Sequence, residues 1–126
     1  MDPNDVLRRI VREDPRYSLE AYFFVFRALS FAANSLETSD PPTHVTGQEL
    51  LGAIRDLALR EFGYLGKLVF NAWGVHSTLD WGRIVFNLVD RELMGTTEGD
   101  KLEDFDGGFD FREAFERDLR IDIRPR

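Results

Sequence analysis

The stretch "LEAYFFVFRALSFAAN", Leu19 to Asn34, is apolar almost all the way round a helical wheel, with polar side chains only at Glu20, Arg27, Ser30 and Asn34. Its length, leucines and alanines favour a helix, although "AYFFVF" alone would also suit a strand. A helix with so narrow a polar stripe has to be wrapped by other elements. It therefore predicts a multi-helix core with this segment at its centre.

The rest of the chain supplies the wrapping. Asp2 as cap and Pro3 at the first helical position predict a helix whose apolar stripe is Val6, Leu7, Ile10 and Val11. Glu13-Asp14-Pro15 ends it. Ser18 is expected to cap the central apolar helix, and residues 36–45, with Asp40-Pro41-Pro42, read as a linker. Thr46 and Glu49 form a capping box opening a helix over 47–62, which Gly63 closes. A short helix over 65–73, a turn from Gly74 to Thr78 and a helix over 79–93 complete a central three-helix unit at 46–95. Near the C-terminus, Asp106-Gly107-Gly108 between Phe105 and Phe109 predicts a short β-hairpin. Asp110 and Glu113 repeat the capping-box pattern before Phe111, Phe115 and Leu119. The expectation is a mainly α, compact single domain spanning 1–126, with five or six helices, a helix-turn-helix-like centre and one hairpin. Residues 1–35 form its N-terminal helices, and 96–126 its acidic hairpin and C-terminal helix.

Charge narrows the partners. The formal net charge is −7, and residues 96–126 hold ten acidic side chains against six basic ones. Such a surface is not drawn to phosphate backbones or anionic lipid, so nucleic acid is a disfavoured partner. No apolar run is long enough to span a membrane, and the charged N-terminus is unlike a signal peptide, which makes the cytoplasm the expected location. The absence of cysteine excludes thiol catalysis, disulfides and thiolate metal sites.

Within the central unit a hexapeptide is written almost twice, as "GKLVFN" (Gly66 to Asn71) and "GRIVFN" (Gly82 to Asn87). On a helix, Lys67 and Asn71 form one polar stripe, and Arg83 and Asn87 form its counterpart. Leu68, Val69 and Phe70, like Ile84, Val85 and Phe86, are expected on a wide buried face. Gly66 and Gly82 would let a neighbouring element come close. Packing is the preferred explanation of the repeat, ahead of a duplicated binding element. Trp73 and Trp81 flank the intervening turn, which also carries His76. The candidate interaction surface is therefore Lys67, Asn71, Trp73, His76, Trp81, Arg83 and Asn87. Alanine at Lys67, Asn71, Arg83 and Asn87 is expected to leave stability almost unchanged.

Other chemistries are less well supported. His76 and Asp80 are four apart, but one His and one carboxylate make a thin metal ligand set, and His44 stands apart from them. The acidic run Glu98 to Asp110 breaks the EF-hand grammar, since Phe109 stands where a glycine is needed. No nucleophile elbow, P-loop or dinucleotide fingerprint is present, so no catalytic residue, metal or cofactor is assigned. A winged-helix reading, nucleic-acid-binding or regulatory, follows from the tri-helical order. Its recognition helix would show Asp80, Arg83, Asn87, Asp90 and Arg91, a mixed-charge face poorly suited to phosphate. The reading carried forward is a non-catalytic protein-interaction or scaffold domain with an unidentified protein partner.

Three blocks carry a resemblance: "YSLEAYFFVFRALSF" (Tyr17 to Phe31), the long block from His44 to Met94, and the terminal Glu103-Asp104-Phe105 with "FDFREAF" (Phe109 to Phe115). Together they resemble an uncharacterised repeat-protein family associated with planctomycetes and verrucomicrobia, over roughly residues 16–115. Where that family would have Asp-Phe-Gly, this chain has Asp80-Trp81-Gly82, which keeps the aromatic. The resemblance implies an intact domain and brings no activity, cofactor or site residue with it.

Overall fold

The computed structural model describes residues 2–35, 45–94 and 101–116. His44, Leu119 and nearly all of the expected linker at 36–45 lie outside the described residues. The described residues form five α-helices: α1 (Pro3–Glu13), α2 (Leu19–Ser35), α3 (Gly47–Phe62), α4 (Gly66–Ala72) and α5 (Thr78–Asp90). A 3-10 turn at Gly63–Leu65 joins α3 to α4, a second lies at Leu102–Phe105, and a π-helical turn spans Arg112–Glu116. The chain is mainly α, as the periodicity requires.

Local chemistry places the helix starts. The Asp2 carboxylate accepts from the amide of Asn4 at 3.0 Å, and Leu7 and Ile10 turn inward from α1. The Thr46 hydroxyl accepts from the amide of Glu49 at 3.1 Å, and the Glu49 carboxylate accepts from the amide of Thr46 at 2.9 Å. The capping box thus satisfies two donors that the first turn of α3 leaves unpaired. Gly63 ends α3 with φ of 56°, a left-handed conformation that a side chain would strain.

Helix α2 is central, packing mainly along α3 and also against α1 and α5. Its Phe24 ring lies 5.4 to 5.9 Å from the rings of Phe62, Phe70, Trp73 and Trp81, and an edge-on Phe70–Trp81 contact at 4.9 Å tightens the cluster. Phe111 and Phe115 close it from the C-terminal side through contacts with Phe70 at 5.1 and 5.4 Å. These aromatics, with Tyr22, Val25, Ile54, Ile84 and Leu88, form one buried core.

Three local expectations are corrected. The Ser18 hydroxyl does not cap α2: among the described residues it is buried without a partner, while the Ser18 amide donates to the carbonyl of Trp73 at 3.0 Å. Helix α5 ends at Asp90, before the expected 93. No strand occurs among the described residues, so the hairpin around Asp106-Gly107-Gly108 is absent. The turn itself is real, with Gly107 at φ 68°. However, the polar groups that cross-strand pairing would use are taken by Thr78 of α5. Its hydroxyl donates to the Phe105 carbonyl at 2.6 Å and accepts from the Gly108 amide at 3.0 Å.

Candidate functional site

The two hexapeptides share a packing job. A Cβ on Gly66 would lie 2.7 to 2.8 Å from the Phe115 ring, and one on Gly82 would lie 2.7 Å from Cβ and Cγ of Phe105. Four residues on, Phe70 meets the Phe115 ring edge-on at 5.4 Å, and Phe86 meets Phe105 in the same way at 6.2 Å. Each copy therefore seats one phenylalanine of the C-terminal segment between its glycine and its own phenylalanine. The close approach expected at Gly66 and Gly82 is what the repeated text provides.

The polar stripes part company. Arg83 donates to Asp80 Oδ1 at 2.8 Å, the same oxygen accepts from the Tyr17 hydroxyl at 2.5 Å, and Asp80 Oδ2 accepts from the amide of His76 at 2.9 Å. Burial works to raise the Asp80 carboxyl, but Tyr17, the His76 amide and Arg83 outweigh it and hold it below the ordinary carboxylate range. Burial, aided by the Asp80 carboxylate, pushes the Tyr17 hydroxyl up to about 12. Asn87 donates to both Asp14 Oδ2 and the Tyr22 hydroxyl, each at 3.0 Å. The Arg16 guanidinium forks onto Asp14 at 2.7 and 2.8 Å, and with Asn87 it holds that carboxyl well below the ordinary value. Asp80 and Asn87 of α5 thus hold the α1–α2 loop, through Tyr17 and Asp14, while Arg83 pairs with Asp80 inside α5. Asn87, with bonds to both Asp14 and Tyr22, is therefore not the free surface residue that the expectation of unchanged stability assumes.

The same contacts bear on the winged-helix alternative. Helices α3, α4 and α5 do follow the tri-helical order. But α5 turns Asp80 and Asn87 to the α1–α2 loop and lies under Phe105 along its Gly82 side. A recognition helix must lay an open face in a groove, and here both flanks of α5 are covered.

The first stripe stays outside. Among the described residues Lys67 has no hydrogen bond or ion pair, and the Asn71 side-chain oxygen lies 3.2 Å from His76 Nδ1. Lys67 and His76 line a groove of about 370 Å³ with Ser77, Phe109, Asp110, Phe111 and Arg112. Three of the seven candidate residues, Lys67, Asn71 and His76, therefore come together. Trp81 is fully buried, and Trp73 is half-buried against Phe24, Phe62 and Phe70, so both belong to the core.

One apolar side chain contradicts its expected place. Leu68 is 65% exposed, and beside it on the preceding turn Tyr64 is 54% and Leu65 44% exposed. The wheel explains why: Gly66 and Phe70 face the core, and at 100° per residue Leu68 lies about 200° from each. Positions 64, 65, 68 and 72 recur at helical spacing on the outer side of the Gly63–Leu65 turn and the seven-residue α4 that follows it. Once Phe70 was assigned inward, this signal was present in the sequence. The contributions of Phe109, Asp110 and Arg112 to the groove had no such signal, because tertiary packing alone brings them to α4.

Among the described residues, no group of three or more His, Asp or Glu side chains could hold a metal ion, and no helix is long and apolar enough to cross a membrane. No family model, curated protein or solved structure matches the chain.

Proposed function

We propose that the chain is a non-catalytic protein-interaction module that engages its partner through the outer face of α4. The observation that carries this reading is the run of exposed apolar side chains at Tyr64, Leu65 and Leu68. Together they present on the order of 300 Å² of largely apolar surface, the scale at which exposed patches become functional. Single exposed apolar side chains are ordinary, but three close together along the Gly63–Leu65 turn and α4 are not. Tyr64 adds the amphipathic aromatic type favoured in interface hot spots. The net charge of −7 and the covered flanks of α5 favour a protein partner over nucleic acid.

The test is site-specific photo-crosslinking. A benzophenone side chain at position 68 gives a discrete adduct in the native extract, and the same probe at exposed Arg12 on α1 does not. Leu68→Glu abolishes the adduct formed by a probe at position 65, with unfolding stability within about 0.5 kcal/mol of the parent. Identical adduct patterns from positions 68 and 12 refute the proposal.

A further inference from the structure

The exposed face of α4 borders the groove through Lys67, which is next to Leu68 in the helix and lines the groove with His76, Asp110 and Arg112. Its charges are uneven. Among the described residues Lys67 is unpaired, and Arg112 has one exposed ionic contact, with Glu116 at 3.5 Å. Asp110 supplies the opposing charge, with one oxygen engaged by the amide of Arg112 at 3.1 Å. With His76 neutral, the lining therefore sums to one positive charge in a molecule that is strongly negative overall. Building on the proposal that α4 is the contact face, we infer that the groove receives a single carboxylate of the partner, carried beside an apolar side chain that rests on Leu65 and Leu68.

The chemistry selects that ligand from both sides. A carboxylate matches one surplus positive charge, with Lys67 as a point charge and Arg112 as a planar fork. A phosphate dianion would bring a second negative charge against Asp110, which disfavours it. Phe109 and Phe111 give the groove an apolar wall, so an ion there keeps less water and feels the cations more strongly than at an open surface. The apolar ridge alone would accept any greasy segment. The groove adds direction, because the acid must point toward Arg112 when the apolar group covers Leu68.

Two small probes test this on the intact chain by NMR titration. N-acetyl-leucine carries one carboxylate beside one isobutyl group, and N-acetyl-leucinamide has the same shape without the charge. The acid is expected to move the amide signals of Lys67, Leu68, His76 and Arg112 and to bind about fivefold more tightly than the amide, a typical scale for a partly exposed ion pair. Lys67→Gln is expected to bring the acid down to the affinity of the amide and leave the amide unchanged. Inorganic phosphate binding more tightly than acetate would overturn the single-charge selection. Equal binding of acid and amide would overturn the carboxylate inference while leaving the α4 proposal in place. Failure of the crosslink from position 68 removes the α4 proposal itself.

Discussion

Replacing Gly82 with alanine tests whether the C-terminal segment is seated on α5. Alanine in a helix interior gains about 1 kcal/mol over glycine, so propensity alone predicts stabilisation. Sterics oppose it: the new Cβ would lie 2.7 Å from both Cβ and Cγ of Phe105 and 2.9 Å from Cδ2. Cβ and Cγ sit close to the backbone and cannot swing aside. The Phe105 carbonyl is also tied to Thr78 on the same helix at 2.6 Å. Relief therefore requires the Leu102–Phe105 turn to lift off α5. Overpacking costs about 1–3 kcal/mol, and partial exposure of a fully buried phenylalanine adds a share of about 1.5–3 kcal/mol. After the propensity gain, the expected net loss is about 2 kcal/mol. Gly52, within α3, is the control, because nothing lies within 4 Å of a Cβ built there. Gly52→Ala is expected to gain up to about 1 kcal/mol. For a chain of this size 1 kcal/mol moves Tm by roughly 3–6 °C. Thermal unfolding followed by circular dichroism should therefore place the two variants on opposite sides of the parent. If Gly82→Ala stabilises as much as Gly52→Ala, Phe105 is not seated on α5 and the shared packing job of the hexapeptides fails.

Other variants probe single contacts. Ser18→Ala removes a buried, unpaired hydroxyl, so urea unfolding should show stability unchanged or raised by up to about 1 kcal/mol; a capping serine would instead cost about that much. Asn87→Ala breaks bonds to Asp14 and Tyr22 and should cost about 1–2 kcal/mol in the same assay. On the acid side, Asp14 and Asp80 titrate lower in the folded chain than their ordinary 3.8. The stability they contribute is present above that value and drains away as pH falls below it, so Asp80→Asn should flatten the acid limb of a stability–pH curve. Tyr17 is raised from 10.0 to about 12, so its contribution holds below pH 10 and is lost as pH rises toward 12. Tyr17→Phe should remove that alkaline loss.

What was legible in the sequence was local. The Asp2 cap and the Thr46–Glu49 box depend on residues within one turn, and both form as the spacing demands. The close approach at Gly66 and Gly82 was also readable, because a glycine early in an apolar helix has few other uses. Apart from the outward Leu68, which the wheel already shows, the readings that failed depended on partners elsewhere in the fold. The turn at Asp106-Gly107-Gly108 reads as a hairpin, but Thr78 takes the groups its strands would have paired. Arg83 and Asn87 looked like a free stripe because their acceptors, Asp80, Asp14 and Tyr22, include two that are more than sixty residues away. Of the candidate surface, Lys67, Asn71 and His76 stayed together because they share one helix and the turn after it.

The glycine seats also set an order of events during synthesis. A ribosome delivers α1 to α5 before Phe105, Phe111 and Phe115 exist, so the nascent chain carries Gly66 and Gly82 uncovered and one side of Phe70 open to water. Until the acidic segment emerges, that bare aromatic surface is the part of the chain most able to stick to a neighbour. The carboxylates around Phe105 and Phe109 would then do more than keep the finished surface soluble: they keep the closing piece hydrated until the two seats receive it.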